Sequence, residues 1–356
     1  MANKGRRQPR LKELSSELGL SITTVSRALA GYSDVSAATR ERVREMAARR
    51  GYVPSRAGRM LVSGNSGFVG LVVPLRDSHF IDAFLGEFIV GLSEAFTDSG
   101  RDLTITTAAR DRREVDVLRH VVNGQQADGV VLTRALSEDD RVTYLLDQQV
   151  PFVLHGRVLG EDRPYVWFDT DGETAFGEAA RMLIELGHRD FGYLTFTEPL
   201  TFAHFRRIGL EGALRDHGLH LPDQAIASVS RFDEAEVERA ADRLLGLDPR
   251  PTAILCATDG LAIKLLEVAA KRTINVPADL SVIGFDNLPV SAYASPGITT
   301  FDQSIQDSAI HVAEMLVKLI DQGIDAVEPR LVKADFIARG SHGPAPPARP
   351  SVRAVG

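Results

Sequence analysis

"LGLSITTVSRALAGYSDVSAATRERV", residues 18–43, sets apolar residues at helical spacing among serines, threonines and arginines. Gly19 closes a preceding helical run marked by Leu11, Leu14 and Leu18, and Ser21 stands where the next helix needs a cap. Val25, Ala28 and Leu29 give that second helix one apolar side. After the turn-like "AGYSDV", Ser36 is placed to cap a third helix over "AATRERVREMAARRG", in which Val43, Met46 and Ala47 form a stripe and arginines line the rest. Three short helices with a tight Gly-containing turn predict a helix-turn-helix.

Charge supplies this region with a partner. The 356-residue chain carries a net −7, but residues 1–60 hold 13 Lys and Arg against 5 Asp and Glu, a net of +8, so the remainder carries −15. A basic head is the footprint of a polyanion-binding surface, because each phosphate neutralised releases counterions. The 44% apolar and 25% charged content is that of an ordinary globular protein, and no apolar run approaches the roughly 20 residues of a membrane span. The first residues, "MANKGRRQPRLKEL", contain no apolar segment of a secretory signal, so a cytoplasmic location is expected. The single cysteine, Cys256 in "AILCA", excludes an internal disulfide and a multi-cysteine metal site, and reads as a buried strand position. No metal and no cofactor is expected.

From Gly67 the pattern changes to short apolar runs alternating with amphipathic helices: "GFVGLVV", "DLTITT", "DGVVLT" and "PFVLHG", then "FGYLTF", "QAIASV", "TAILCAT" and "LSVIGFD". Helices are predicted near 80–97, 112–122, 139–147, 173–186, 202–217, 234–245, 261–271 and 305–321, with a last strand around 330–337. Repeated βα units imply parallel sheets covered by helices. The expected fold is therefore an all-α helix-turn-helix head followed by an α/β core of two doubly wound lobes. The expected boundaries are a DNA-binding head over 1–51, a linker over 52–66, a two-lobed core over 67–340, and a disordered Pro- and Gly-rich tail over 341–356.

A recognition helix presents its N-terminal residues to base edges while flanking hydroxyls hold phosphates. In "SITTVSRALA" the outward positions are Ile22, Thr23, Thr24, Ser26 and Arg27. Arg27 is the best base reader, because its fork matches guanine O6 and N7. Thr23 is able to donate or accept, and Ile22 to lie on a thymine methyl, while Ser21, Thr24 and Ser26 suit phosphates. Ser21 is equally explained as a cap and the threonines as solvated surface.

The run from "LKELSSELGLSITTVSRALAGYSDVSAATRERV" to "GYVPSRAGRML" resembles the DNA-binding head of the lactose/galactose repressor (LacI) family. The likeness continues through "VGLVVP", "ADGVVL", "ELGHRDFGYL", "RRIGLEGAL", "DLSVIGFDN" and "ITTFDQ", and so covers about residues 10–340. It implies a homodimer on a pseudo-palindromic double-stranded DNA operator, with a hinge segment, "VPSRAGRMLVSGNS", that folds on the operator and enters the minor groove. In that scheme Leu61 is the wedge, with Ser55 and Arg56 near phosphates or the groove floor. Gly58 departs from the family's usual alanine, which lowers helix stability by about 0.8–1 kcal/mol.

The resemblance also implies a small carbohydrate or derivative as effector, bound between the lobes beyond the C-terminal strand ends. Asp286 closes "SVIGFD", where a carboxylate takes two sugar hydroxyls as donors, and Arg206 in "FRRIGLEGAL" matches the effector-binding arginine, with Arg207 as the alternative. His79 and Phe80 occupy the first loop of the N-terminal lobe. Asp259 and Asp171 lie at further strand ends, where each equally suits a helix cap, and "LHGR" adds His155 and Arg157. The "DTDG" at 169–172 departs from the family's Asp-Asn.

The leading reading is a transcriptional regulator, a repressor of carbohydrate-utilisation genes released by its effector, with a corepressor-dependent regulator as the variant. A head fused to a sugar-metabolising enzyme is the rival, and no GxxxxGK[ST], GxSxG or HExxH motif supports it. A secreted sugar-binding protein would share the core but has no use for the head.

Overall fold

The computed structural model describes residues 11–29, 31–52, 65–74, 83–109, 112–230 and 234–347. The chain divides into two compact units, 1–68 with 121–128, and 69–120 with 129–356. In the first unit, α1 (Leu11–Leu18), α2 (Ile22–Leu29) and α3 (Ala37–Arg50) enclose Leu14, Val25, Ala28, Val35, Val43 and Ala47, all buried. Apart from Val35 in the turn before α3, these are apolar positions the helical spacing selects, with Leu11, Leu18, Leu29 and Met46 half-buried around them. Ser36 caps α3 by accepting the Thr39 N–H at 3.2 Å, and Gly51 ends it in the left-handed conformation at φ 62°.

The second unit contains two parallel sheets. The first lobe is built on a six-stranded sheet in the order β11-β5-β4-β3-β1-β2, from β1 (Phe68–Pro74), β2 (Asp102–Ala108), β3 (Gly129–Thr133), β4 (Phe152–His155), β5 (Val166–Thr170) and β11 (Arg330–Val332). Three helices of this lobe are α4 (Ala83–Asp98), α5 (Glu114–Asn123) and α6 (Asp140–Asp147). The second lobe carries the order β7-β6-β8-β9, from β6 (Phe191–Phe196), β7 (Ile226–Val229), β8 (Ala253–Cys256) and β9 (Ser281–Ile283). Its helices are α7 (Gly172–Glu185), α8 (Thr201–Asp216), α9 (Glu234–Leu245), α10 (Asp259–Lys271) and the short α11 (Pro289–Tyr293). Strand interiors such as Val130–Leu132 and Ala253–Cys256 are buried throughout, as continuous apolar strands of a covered parallel sheet should be.

The chain passes between the lobes three times. It crosses from β5 to α7 at residues 170–172, and returns from β10 (Thr300–Asp302) to α12 (Ile305–Gln322) at residues 302–305. Ala309, Val312, Ala313 and Leu316 of α12 lie in the first lobe's core with Phe88 and Leu92 of α4. Gly91 permits the α4–α12 approach, since a Cβ there would sit 2.3 Å from the Gln306 carbonyl oxygen. The third crossing divides the single strand expected over 330–337. β11 joins the first sheet beside β5, whereas β12 (Asp335–Ile337) pairs antiparallel with β10. Ala334, between them, is buried in the second lobe's core.

The tail also differs from expectation, because residues 341–347 are ordered on the second lobe. Ser341 Oγ accepts the Thr299 N–H at 2.8 Å and donates to the Val282 carbonyl at 2.6 Å, while Ala345 N–H reaches the Leu186 carbonyl at 2.9 Å. Composition predicted disorder because little apolar surface is available there, but backbone pairing and the buried Ser341 fasten the segment instead.

Candidate functional site

On the head, two helix starts share one concave surface. Ser21 Oγ accepts the Thr24 N–H at 3.0 Å and lies 2.8 Å from Thr24 Oγ1, and Ser36 and Thr39 repeat the arrangement at α3, again with hydroxyls 2.8 Å apart. A concavity of about 400 Å³ brings Ser21, Thr23, Thr24 and Arg27 together with Ser36 and Thr39. Helix N-termini and hydroxyls are suited to anionic oxygens. Ser21, Ile22 and Thr23 are exposed and Thr24, Ser26 and Arg27 half-buried, while Val25 and Ala28 face the core. Arg27 is held: Nη2 lies 2.6 Å from Asp34 Oδ2, Nε donates to Asp34 Oδ1 at 3.3 Å, and the guanidinium carbon is 4.7 Å from the centre of the Tyr32 ring. Ser55, Arg56, Gly58 and Leu61 lie outside the described residues, as do His79 and Phe80 of the sensing end.

In the second unit, the crossings gather a set of buried polar groups. Gly209 allows α8 to run against α7, since a Cβ there would meet the Glu173 carbonyl oxygen at 1.9 Å. One turn earlier, Arg206 is carried into the interior, where Nη1 donates to the Ala257 carbonyl and the guanidinium carbon sits 3.5 Å over the Phe285 ring. Burial pushes its pKa down against the attraction of Asp286. Arg207 is half-buried and pairs with Glu211 at 2.6 Å, so of the two arginines only Arg206 joins the buried set.

Asp286 lies 4.0 Å from Arg206 and accepts from Gln303 Nε2 at 2.6 Å. Its φ of 116° is a strained backbone for any residue but glycine. Burial, only partly opposed by Arg206, drives its carboxyl up to about 8. The expected charged acceptor is thus largely a neutral carboxyl near pH 7, able to donate as well as accept. Asp169 at the end of β5 accepts from Arg157 Nε at 2.8 Å and from the Thr170 N–H at 2.9 Å. Arg157 in turn lies 4.1 Å over Phe205 and 5.4 Å over Trp167. His155, at the end of β4, is surrounded by Phe88, Phe84 and Phe168 at 5.0, 5.6 and 6.2 Å. Burial and, secondarily, Arg206 lower its pKa to about 4, leaving a neutral imidazole.

Three buried polar atoms here have no hydrogen-bond partner among the described residues: His155 Nε2, Thr170 Oγ1 and Arg206 Nε. They are neighbours. Arg206 perturbs His155, and its side chain lies against Gly172, two residues past Thr170. Polar atoms in such settings are ordinarily satisfied, so the cluster holds hydrogen-bonding capacity that the described residues do not use.

Two expected contacts do not join it. Asp259 is fully buried, and its oxygens accept from the Leu288 N–H at 2.9 Å and from Ser291 Oγ and Thr300 Oγ1 at 2.6 Å each. It fastens α10 to α11 and β10, and the cap of α10 is Thr258. Asp171 uses one oxygen on the Thr174 N–H and the other on Thr174 Oγ1, as the cap of α7. Residues missed by sequence reasoning are Asp169, Thr170 and Gln303. The "FDTDG" and "TFDQ" runs contained them, but only the three crossings show that these runs adjoin.

Residues 10–55 match the model of bacterial regulatory proteins of the lacI family, and residues 180–342 that of a periplasmic binding protein-like domain. The HTH-type transcriptional regulator AglR of Rhizobium meliloti (strain 1021) is 36% identical over 345 residues, 96% of each chain. The chain belongs to the LacI family. This LacI-family protein is a DNA-binding transcriptional regulator and not an enzyme. Its fold matches that of a CelR–cellobiose complex, 27% identical with a TM-score of 0.71, over 94% of this chain and 99% of that one. The lac repressor dimer bound to operator and an anti-inducer, 20% identical, shares the fold with a TM-score of 0.77 over 94% and 99% of the two chains. Among the described residues, no helix of this LacI-family regulator is long and apolar enough to cross a membrane.

Proposed function

We propose that this regulator is a cytoplasmic homodimer that represses carbohydrate-utilisation genes from a pseudo-palindromic operator and is released by a small sugar bound between the two lobes of the core. Ile22, Thr23 and Arg27 read base edges; Ser21, Thr24 and Ser26 hold phosphates. The linker over 52–66, with Leu61 as the minor-groove wedge and Ser55 and Arg56 near phosphates or the groove floor, completes the DNA contact in the manner of the family. Arg206, Asp286 and His155 hold the effector, joined by Thr170 and Gln303.

The unpartnered trio of His155, Thr170 and Arg206 carries the sensing half of this reading. A polyol supplies donors and acceptors to all three without bringing a charge that the site must neutralise. The trio draws on both lobes, so a ligand satisfying it favours one lobe arrangement over another, the requirement for altering DNA affinity at all. The cellobiose found in the CelR complex gives disaccharides a place in the test panel.

A thermal-shift screen of mono- and disaccharides and their phosphates on the full chain tests it. A true effector at 100 times its dissociation constant raises core stability by about 2.7 kcal/mol and weakens operator binding. A panel in which no sugar both shifts unfolding and changes operator affinity overturns the sensing assignment.

A further inference from the structure

The pairing of Arg27 with Asp34 is more specific than a surface ion pair. The two partners, with side chains 43% and 54% accessible, contribute little to the stability of the head. Geometry is the informative part. Asp34 takes the Nε–Nη2 side of the guanidinium with both carboxylate oxygens, at 3.3 and 2.6 Å. Tyr32 lies against the guanidinium carbon at 4.7 Å. A planar five-donor group held along one edge and one face retains its Nη1–Nη2 end, the pair of donors whose spacing fits guanine O6 and N7. Asp34 sits in the turn before α3 and borders the same concavity as Arg27, seven residues away in sequence. Asp34 is itself an anion on a surface built for a polyanion. A carboxylate there opposes non-specific phosphate binding, so its presence calls for a compensating use.

We infer that Asp34 is a positioning residue for DNA recognition: with Tyr32 it aligns Arg27 for guanine and keeps the same guanidinium from settling on a phosphate. The alignment removes rotamer freedom before DNA arrives, which places the ordering cost in the free protein rather than in the complex. It also sets affinity against selectivity. A head lacking Asp34 binds any duplex more tightly and distinguishes sequences less well. This inference rests on Arg27 being a base reader.

The test uses the full chain in a randomised-operator selection, together with salt titrations on a scrambled duplex. Arg27→Ala is expected to flatten guanine preference at one symmetric pair of positions by about 5- to 150-fold. Asp34→Ala is expected to reduce preference at those same positions by roughly 2- to 12-fold. It simultaneously tightens binding to the scrambled duplex and steepens the salt dependence by about 0.9 per half-site, as Arg27 swings to a phosphate. Asp34→Asn, which keeps an acceptor oxygen without the charge, falls between. A merely structural Asp34 would weaken binding to both duplexes alike, and that result overturns the inference. So does an unchanged or sharper guanine preference in Asp34→Ala while Arg27→Ala flattens it, which leaves Arg27 as reader. An unaltered base profile in Arg27→Ala instead removes the reader and the alignment together.

Discussion

Asp286 combines a left-handed backbone, burial and an arginine 4.0 Å away, and its carboxyl stays protonated up to about pH 8. In the unfolded chain the same group ionises near its ordinary value of 3.8. Between about pH 4 and 8 the native state therefore holds a proton that the unfolded state has lost, and this contribution to stability falls as pH rises through that window. Urea unfolding across pH should show Asp286→Asn gaining on the wild type toward pH 8, because the amide cannot ionise. Effector affinity of the wild type should change across pH 8 while that of Asp286→Asn stays flat. Parallel profiles for the two proteins would show that Asp286 does not titrate there. At this scale the sequence placed Asp286 at a strand end and Arg206 on a helix, and the fold brings the two within 4.0 Å. The sequence was not readable where two aspartates occupy equivalent strand ends. Asp259 and Asp286 both follow apolar strands, and only the position of the Leu288 amide, Ser291 and Thr300 turns Asp259 into an internal fastening.

Elements with a strong period were legible to within three residues, and α9 at Glu234–Leu245 coincides with its apolar spacing. The misses are short or composition-poor. The five-residue α11 carries a helix-start signal in Pro289 but too few residues to show a period. The segment 341–347 has almost nothing apolar, yet Ser341 stitches β9 to the strand-like residues before β10. His188 adds to the seam, with Nδ1 2.9 Å from Thr252 Oγ1 and Nε2 3.0 Å from the Gly343 carbonyl. Ending the chain after Gly340 leaves the Thr299 N–H and the Val282 carbonyl without these partners, while His188 Nε2 loses Gly343 but keeps Ser281 Oγ at 3.1 Å. Each buried group so stranded costs about 1–3 kcal/mol. The truncated protein should unfold at lower temperature with its head intact, measured by calorimetry of the full and shortened chains. An unchanged melting profile would mean that the segment contributes nothing to the second lobe.

In the proposed function, sensing and DNA binding of the whole molecule are one equilibrium read at two places. The factor by which the effector weakens operator binding must equal the factor by which operator weakens effector binding. Titrating sugar against the protein alone and against its operator complex measures both, and unequal factors at equilibrium would rule out a single coupled transition. The three passages between the lobes were not visible in the sequence, because a βα series reads the same whether its strands enter one sheet or two. They have a consequence in time. The head's three helices are complete once residue 50 has been made, but the first lobe lacks its outermost strand until residue 332 is in place. At ordinary rates of synthesis these moments are about 15–55 s apart. During that interval a growing chain carries a finished DNA reader with no finished sensor, and its discrimination between operator and other DNA depends on the head alone.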